Sequence, residues 1–279
     1  MDIQDFDLSI IIVAYRNPEA LRLCLRSILS DAPHCNFEII VVDSDANRYT
    51  KDVALEECAS HDHFQYIPFY YNCGFPKGVN AGLKTARGRN ILILNFDIVL
   101  TPHAIERMSE YMDAHPDVGL LGPMLKNFNE AWQQSLFRFY TLSVILARRS
   151  ILGRLHWFRR RLESFLMKGI DPNQTQTPGW LMGSALMTRK TMVEKVGFMD
   201  ERFFMYFEDV DWARRFWHNG YIVCYFPSAV MYHYHGQGSK TVGGLIDAAI
   251  NPKTRWHIMS ALKFFWKYHN LKNLFPRRF

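Results

Sequence analysis

The chain has 279 residues, of which 48% are hydrophobic, 15% aromatic and 22% charged, and its formal net charge is +6. This apolar content excludes a disordered chain, and the apolar runs are too short for a membrane-spanning helix, which needs about 20 consecutive apolar residues. Five scattered cysteines, with no pair at CxxC spacing, argue against a disulfide framework or a structural zinc site and favour a reducing compartment.

The first 125 residues predict strands that alternate with helices. Apolar runs predict buried strands at 8–15, 38–43, 64–71, 90–95 and 118–125. Helical spacing of apolar residues, with prolines as the opening residues, predicts helices from Pro18, over 77–87, and from Pro102 to about 115. This alternation predicts an α/β fold with a mainly parallel sheet and helices on both faces.

The second half departs from that alternation. Residues 130–178 break the pattern, and we expect a basic amphipathic insertion at about 137–170. Later elements are expected as strands at 183–189 and 221–226, and as helices at 190–196, 208–219 and from about 252 to 276. The expected organisation is one α/β domain over 1–250 and a basic amphipathic helix over 251–279.

Two acidic residues follow predicted strands. Asp43 follows IIVV, and Asp97 lies two residues after ILILN. Open α/β sheets bind ligands at the carboxyl ends of their strands, although an acid there can equally cap the next turn or helix. The first strand-to-helix turn, AYRNP, lacks the GxGxxG and GKT/GKS patterns, which disfavours a nicotinamide cofactor or a P-loop ATPase.

Three further segments concentrate chemically useful groups. NCGFPKGVNAG at 72–82 places three glycines and two asparagines at an expected helix N-terminus, which can bind an anion or form an ordinary turn. DERFFMYFEDVD at 200–211 holds five acids and four aromatic residues, and its carboxylates can cap a helix or act as a general base. His233 or His235, after a strand and a short loop, can complete a Mn²⁺ site with Asp97 or be an ordinary core or surface histidine.

Seven blocks together resemble glycosyltransferase family 2, the inverting sugar transferases of the GT-A fold. The blocks are SIIIVAYRN, EIIVVDSD, NCGFPKGVNAG, ILNFD, WLMGSALM, GFMDERFFMYFEDVDWARR and HYHGQGS, and they span about residues 8–240. Within the family the chain is most similar to bacterial rhamnosyltransferases of O-antigen and related surface polysaccharides. The resemblance implies a Rossmann-like central sheet. It also implies transfer of L-rhamnose from dTDP-rhamnose to a lipid-linked saccharide, or of a hexose from a UDP donor.

The resemblance implies a role for each matching residue. The donor nucleotide would be bound by Ala14, Tyr15, Asn17, Asp43, Asn72, Gly74 and Asn80. Asp97 and His233 would hold a divalent cation, Mg²⁺ or Mn²⁺, and Asp209 would be the catalytic base. The sugar or the acceptor would contact Trp180, Gly183, Ser184, Glu208 and Asp211. Phe96 and Ser44 stand where the family often has Pro and Asn, but both changes leave these groups in place.

The basic residues are concentrated in two segments without acids. Residues 131–162 hold seven arginines, and the chain after Asp247 holds seven lysines or arginines. Without these 14 residues the chain has 19 basic and 27 acidic residues, a net charge of −8. Apolar stripes over 151–166 and 258–266 accompany the basic side chains. We therefore expect an anionic membrane surface to bind about 145–166 and 253–278, unless both stripes pack on the core.

The acidic N-terminus, MDIQD, lacks a secretory pattern, so we expect a cytoplasmic protein held peripherally on the inner face of the cell membrane. Two other classes of protein fit part of the sequence. A nucleic-acid-binding protein would use the arginine-rich segment, but Asp43, Asp97 and the acids of 200–211 would repel phosphate, so no nucleic-acid partner is expected. A metal-dependent hydrolase would use the same acids and histidine, and its products would differ because it needs no acceptor.

Overall fold

The computed structural model describes residues 6–149, 151–234 and 251–269. The strands are β1 (Leu8–Tyr15), β2 (Phe37–Ser44), β3 (Phe64–Phe69), β4 (Asn90–Asn95), β5 (Ile98–Leu100), β6 (Val118–Lys126), β7 (Trp132–Gln133), β8 (Leu136–Phe137), β9 (Trp180–Leu181), β10 (Ala185–Arg189) and β11 (Ile222–His233). The helices are α1 (Pro18–Leu29), α2 (Arg48–Glu57), α3 (Phe75–Thr85), α4 (Ala104–Ala114), α5 (Leu142–Arg149), α6 (His156–Phe165), α7 (Lys190–Val196), α8 (Glu208–His218) and α9 (Pro252–Lys267).

One mixed sheet organises the described residues. Its order is β3-β2-β1-β4-β10-β6-β11-β5, with β7 paired to β6. Strands β3, β2, β1 and β4 are parallel to one another, and β11 is parallel to β6, whereas β10 and β5 run antiparallel to their neighbours. The predicted mainly parallel sheet is confirmed.

Helices cover both faces of the sheet because its central strands are apolar on both sides. Ile10 and Ile12 of β1 lie in one core cluster with residues of α1, α2 and α4. Ile11 and Val13 lie in the other cluster with residues of α3, α7 and α8. Each fully buried isoleucine contributes about 1.5–3 kcal/mol relative to an exposed one. At Gly82 helix α3 lies directly on β1, where a Cβ would come within 2.4 Å of Ile11.

Several elements differ from those expected, and some short ones were not expected at all. Helix α2 was missed because it buries only Thr50, Val53 and Ala54, which gives a weak helical pattern. The three-residue strand β5 was also missed. Strand β11 continues through an irregularity between Phe226 and Val230, so His233 lies on the strand rather than after a loop. His235 lies outside the described residues.

The expected single helical stripe over 151–166 was wrong. The chain forms α5, a 3₁₀ turn at Ile151–Arg154 and then α6. The turn folds closely onto α5, since there is no room for a Cβ at Gly153 beside the carbonyl oxygen of Ala147. Phe165 at the end of α6 is buried and stacks on Phe137. The insertion therefore packs partly on the core.

Helix α9 also packs on the core, through Ala261 and Phe264. The part of the expected helix beyond residue 269 lies outside the described residues. Within the described ranges, every helix is too short or too polar to cross a bilayer.

Candidate active site

The carboxyl ends of β2, β1 and β4 lie side by side. Ala14 is in register with Asp43, and Val13 is in register with Asn95, two residues before Asp97. The backbone is strained just beyond β1 and β2, where Arg16 and Asp45 adopt φ values of 53° and 67° and form an ion pair with each other. Such strain is typical of functional sites, and sequence analysis had no signal for it.

Asp43 presents an acceptor oxygen that the described residues leave unpaired. Its Oδ2 accepts a hydrogen bond of 2.7 Å from the Tyr66 hydroxyl, while the buried Oδ1 accepts none from the described residues. Burial raises the pKa of Asp43 to about 6, although interactions with the Tyr66 hydroxyl and the Asn47 backbone oppose the rise. An unpaired buried acceptor is costly, which suits an oxygen that receives a ligand N–H group. Tyr66 was not predicted as a site residue. It lies on β3, in register with Val41 of β2, and this pairing of two predicted strands is what brings it near Asp43.

A chain of contacts joins Asp43 to the glycine-rich turn. Ser44 Oγ accepts a hydrogen bond of 3.0 Å from the Cys73 N–H, and Asn72 Oδ1 accepts one of 3.1 Å from the Gly74 N–H. Gly74 has a φ of +77°, and a Cβ there would lie 2.6 Å from the Phe204 carbonyl oxygen. The turn therefore lies directly against the segment 200–207, and only glycine fits at this position.

Asp97 and His233 form the pair expected for a cation. Asp97 Oδ1 lies 3.4 Å from His233 Nε2, is buried, and accepts no hydrogen bond from the described residues. His233 Nδ1 lies 3.1 Å from Gln133 Oε1, which fixes the orientation of the imidazole ring. Beside the pair lies a cavity of about 220 Å³ that Asn17, Asp97 and Tyr234 help to line.

This donor set fits a hard divalent cation. A carboxylate oxygen and an imidazole nitrogen suit Mn²⁺ and related ions, and the polar partner on the second ring nitrogen is typical of metal-binding histidines. Gln133 was missed, because β7 has two residues and no pattern. A second group, Asp31, His103 and Glu106, has ligand atoms within 4.8 Å of one another, but it lies after α1 and at the start of α4. There Asp31 also accepts a hydrogen bond from the His103 backbone N–H.

Asp209 lies in the first turn of α8 and is bound on both carboxylate oxygens. Its Oδ2 accepts a hydrogen bond of 3.1 Å from the Gly183 N–H, and its Oδ1 accepts one of 2.8 Å from the Val210 N–H. Burial raises the pKa of Asp209 to about 6, although these hydrogen bonds oppose the rise. Its carboxylate is therefore mainly ionised at neutral pH, and its pKa is close enough to that pH for it to accept a proton efficiently.

Glu208, next to Asp209, is a second buried carboxyl group. It is buried, its Oε2 accepts no hydrogen bond from the described residues, and burial together with the Asp209 charge raises its pKa well above the ordinary value. Two adjacent buried carboxyl groups with raised pKa values are the kind of pair from which acid and base groups are drawn.

Gly183 and Ser184 connect the base to the strand ends. A Cβ at Gly183 would lie 3.2 Å from the Phe75 ring and 3.5 Å from Asp209 Cβ. The Ser184 carbonyl oxygen accepts a hydrogen bond of 2.8 Å from the Asn95 N–H at the end of β4. Contacts thus run from the Asp97 loop through Ser184 and Gly183 to Asp209, and from there to the glycine-rich turn.

Three predicted site residues have their polar groups occupied elsewhere. Both groups of the Asn80 amide bind the segment 199–201, through the Met199 backbone and Glu201. The fully buried Asp211 carboxylate accepts hydrogen bonds from Arg215, Lys267 and Tyr268. The Trp180 indole N–H donates to the Arg138 carbonyl oxygen, and its ring stacks on Phe137. In the structure these three side chains hold the surrounding segments in place.

Tyr15 is half-buried at the end of β1, and Asn17 caps α1 by accepting a hydrogen bond of 3.1 Å from the Ala20 N–H. Both therefore lie at the strand edge where the site was expected, and Ala14 beside them is buried within it.

Comparison with known proteins gives consistent results. A family model described as glycosyl transferase family 2 matches residues 9–197. An N-acetylglucosaminyl-diphospho-decaprenol L-rhamnosyltransferase of Mycobacterium tuberculosis is 26% identical over 81% of this chain and 76% of its own. A dTDP-rhamnosyl transferase, RfbF, of Shigella flexneri is 23% identical over 88% of this chain and 75% of its own.

Solved structures share the fold. A mannosyltransferase of Pyrobaculum calidifontis, in complex with GDP-Man and Mn²⁺, matches 85% of this chain with a TM-score of 0.58 and 15% identity. GalNAc-T7 with UDP, GalNAc and Mn²⁺ matches 84% of it with a TM-score of 0.59 and 12% identity. The chain spans 60% and 45% of the lengths of these two proteins.

Proposed function

Because the chain belongs to glycosyl transferase family 2 and has the GT-A fold, we propose that it moves L-rhamnose from dTDP-rhamnose to a hydroxyl group of a lipid-linked saccharide, with inversion. The observation that carries the proposal is Asp209, an ionised carboxylate at a helix N-terminus, held by the Gly183 N–H beside the glycine-rich turn. The names of the two relatives support the sugar, the nucleotide and the lipid-linked acceptor.

The strand edge supplies the donor site. The unpaired Asp43 Oδ1 suits the N3–H group of a pyrimidine base, and Tyr66 orients the carboxylate from the other side. Thymine and uracil both carry this N–H group, so a UDP-hexose donor is the alternative substrate. Ala14, Tyr15, Asn17, Asn72 and Gly74 would complete the pocket around the nucleotide.

Asp97 and His233 would hold the Mg²⁺ or Mn²⁺ ion, with Gln133 orienting the imidazole ring. When bound, such an ion stabilises negative charge on the departing diphosphate. The carboxylate and the ring are neighbours because Asp97 lies directly before β5, whose first residue, Ile98, pairs with His233 of β11.

Asp209 would perform the proton transfer. It accepts the proton of the acceptor hydroxyl as that oxygen forms a bond to the anomeric carbon of the sugar. The bond from that carbon to the diphosphate oxygen breaks on the opposite face, and the nucleoside diphosphate leaves with the electron pair. General-base assistance of this kind is worth about 10²–10⁴ in rate. Glu208 is buried beside it, and the Asp209 charge contributes to the raised pKa of Glu208.

The direct experiment compares Asp209→Asn with Asp52→Asn, an exposed carboxylate on α2 that serves as the matched control. Turnover is measured with dTDP-rhamnose, UDP-hexoses, Mn²⁺ and a lipid-linked acceptor, and donor binding is measured by thermal shift. We expect Asp209→Asn to lose about 10²–10⁴ in kcat with donor binding retained, and the control to remain active. Full activity of Asp209→Asn, or release of free sugar without acceptor, contradicts the proposal.

We further propose that two basic surfaces contact an anionic membrane. On α9 the side chains of Met259, Leu262 and Trp266 are 55%, 67% and 72% exposed, beside exposed Arg255. On α6 the exposed Trp157 is accompanied by exposed arginines at 159–161. Apolar side chains among basic ones suit the interface of an anionic bilayer, where arginine binds lipid phosphate.

Flotation with anionic liposomes tests this contact. The wild-type chain is expected to float and Leu262→Glu/Trp266→Glu to remain in the soluble fraction. Leu55→Glu, an exposed leucine on α2, is the matched control and is expected to float. A wild-type chain that stays in the soluble fraction contradicts the proposal.

A further inference from the structure

The segment 200–207, which leads into the catalytic helix, is strained. Tyr206 and Phe207 both have a φ of 69°, a conformation that non-glycine residues rarely adopt. Phe207 occupies the N-cap position of α8, so the strain lies directly before Glu208 and Asp209. Strained residues persist only when their surroundings hold them. What holds this segment therefore determines where Asp209 lies.

Helix α9 contacts the segment along its length. Lys263 Nζ donates a hydrogen bond of 2.7 Å to the Arg202 carbonyl oxygen, and Ser260 Oγ donates one of 3.0 Å to the Met205 carbonyl oxygen. Aromatic contacts complete the interface, with ring centroids 4.9–5.4 Å apart in the pairs Trp256–Phe204, His257–Tyr206, His257–Phe207 and Phe264–Phe207.

Lys267 joins the two ends of this region. Its Nζ lies 2.7 Å from Asp200 Oδ2 and 2.6 Å from Asp211 Oδ1, so one ammonium group links the start of the segment to the first turn of α8. Tyr268 adds a hydrogen bond of 2.8 Å to Asp211 Oδ1. Asp211 is fully buried and the Lys267 side chain is 21% exposed, so water replaces these contacts poorly.

The glycine-rich turn holds the segment at its middle, at Phe204. The Phe204 carbonyl oxygen accepts a hydrogen bond of 3.2 Å from the Phe75 N–H, and Gly183 lies against both the Phe75 ring and Asp209. A shift of segment 200–207 would therefore move Asp209 relative to Gly183.

We propose that Lys267 is a positioning residue of the transfer reaction, which acts through Asp200 and Asp211 to hold the strained segment and thereby the carboxylate of Asp209. The inference rests on the proposed role of Asp209 as the base. It gives α9 a function inside the catalytic domain that is separate from its exposed Leu262 and Trp266. It also assigns Asp211 to the support of the base rather than to contact with sugar or acceptor.

The test compares Lys267→Met with Lys267→Arg and with Lys195→Met, an exposed lysine on α7, in the full chain. A displacement on the order of 1 Å can cost about 10²-fold in rate. We therefore expect Lys267→Met to lower kcat by about 10–100-fold. Its donor KM should stay within about twofold of wild type, Lys267→Arg should recover much of kcat, and Lys195→Met should match wild type.

Hydrogen exchange provides a readout that does not depend on activity. Lys267→Met should exchange faster in 200–207 and the first turn of α8, with β1 and β4 still protected. Should Lys267→Met fail to fold, Lys263→Met and Tyr268→Phe each remove one contact and are expected to lower kcat by about 3–10-fold. Wild-type kcat in folded Lys267→Met, or in both of these variants, overturns the inference.

Failure of the proposed function and failure of the positioning role of Lys267 give different results. A wild-type chain without transferase activity, or an active Asp209→Asn, rejects the proposed function. An active wild-type chain that is sensitive to Asp209→Asn but insensitive to the loss of Lys267 rejects the positioning role alone.

Discussion

The raised pKa of Asp209 makes the rate of sugar transfer sensitive to mild acid. With a pKa of about 6, the carboxylate is about nine-tenths ionised at pH 7 and about one-tenth ionised at pH 5. A base must be ionised to accept a proton, so kcat should fall about tenfold per pH unit below about pH 6. An aspartate with the ordinary pKa of 3.8 would keep about nine-tenths of its plateau rate at pH 5.

Asp43 complicates the assay, because burial raises its pKa to about 6 as well. The contributions of Asp43 and Asp209 to the pH dependence are distinguished by the donor concentration. On the proposed donor site the carboxylate of Asp43 would contact the nucleotide at saturating donor, so kcat should report Asp209, whereas kcat/KM for the donor should report the free enzyme and hence Asp43. Asp43→Asn should remove its contribution to kcat/KM and leave the acid limb of kcat in place.

Glu208→Gln provides the internal control. Burial and the Asp209 charge raise the pKa of Glu208 as well, so the variant shows which of the two carboxyl groups produces the acid limb. If Asp209 is the base, Glu208→Gln should keep the acid limb near pH 6. A constant kcat between pH 5 and 8, or a limb that moves by a full pH unit in Glu208→Gln, refutes the assignment of Asp209 as the base.

Three further perturbations test other parts of the structure. Asp97→Asn should weaken donor binding by about tenfold or more in the presence of Mn²⁺ and have little effect without the ion, as measured by calorimetry; equal loss in both conditions contradicts the cation role. Tyr66→Phe removes a hydrogen bond to a carboxylate and should weaken donor binding by about 1.5–3 kcal/mol, with unchanged kcat. Gly82→Ala places a Cβ 2.4 Å from Ile11 and should lower the free energy of unfolding in urea by about 1–3 kcal/mol.

The alternation of strands and helices could be predicted because buried parallel strands require continuous apolar runs. Strands β1, β2 and β4 each consist of such a run, and the acids that follow them necessarily meet at one edge of the sheet. Asp43 and Asp97 could therefore be placed without structural information. Only the family resemblance singles out Asp209, since its local pattern is equally compatible with a helix cap.

The occupied carboxylates and amides could not be predicted, because their partners are remote in the chain. Asp211 is 56 residues from Lys267, and Asn80 is 119 residues from Met199. No local pattern reports such pairs. The same holds for the break at Gly153, which depends on close approach to α5 rather than on the apolar spacing of 151–166.

The most direct test of the account is the configuration of the product. Purified protein is incubated with Mn²⁺, a nucleotide sugar of known anomeric configuration and a lipid-linked acceptor, and the new glycosidic bond is examined by nuclear magnetic resonance. Attack by a hydroxyl oxygen activated by Asp209 predicts a single product whose anomeric configuration is opposite to that of the donor. A product with the donor's own configuration would contradict single displacement, and with it the role of Asp209 as the base.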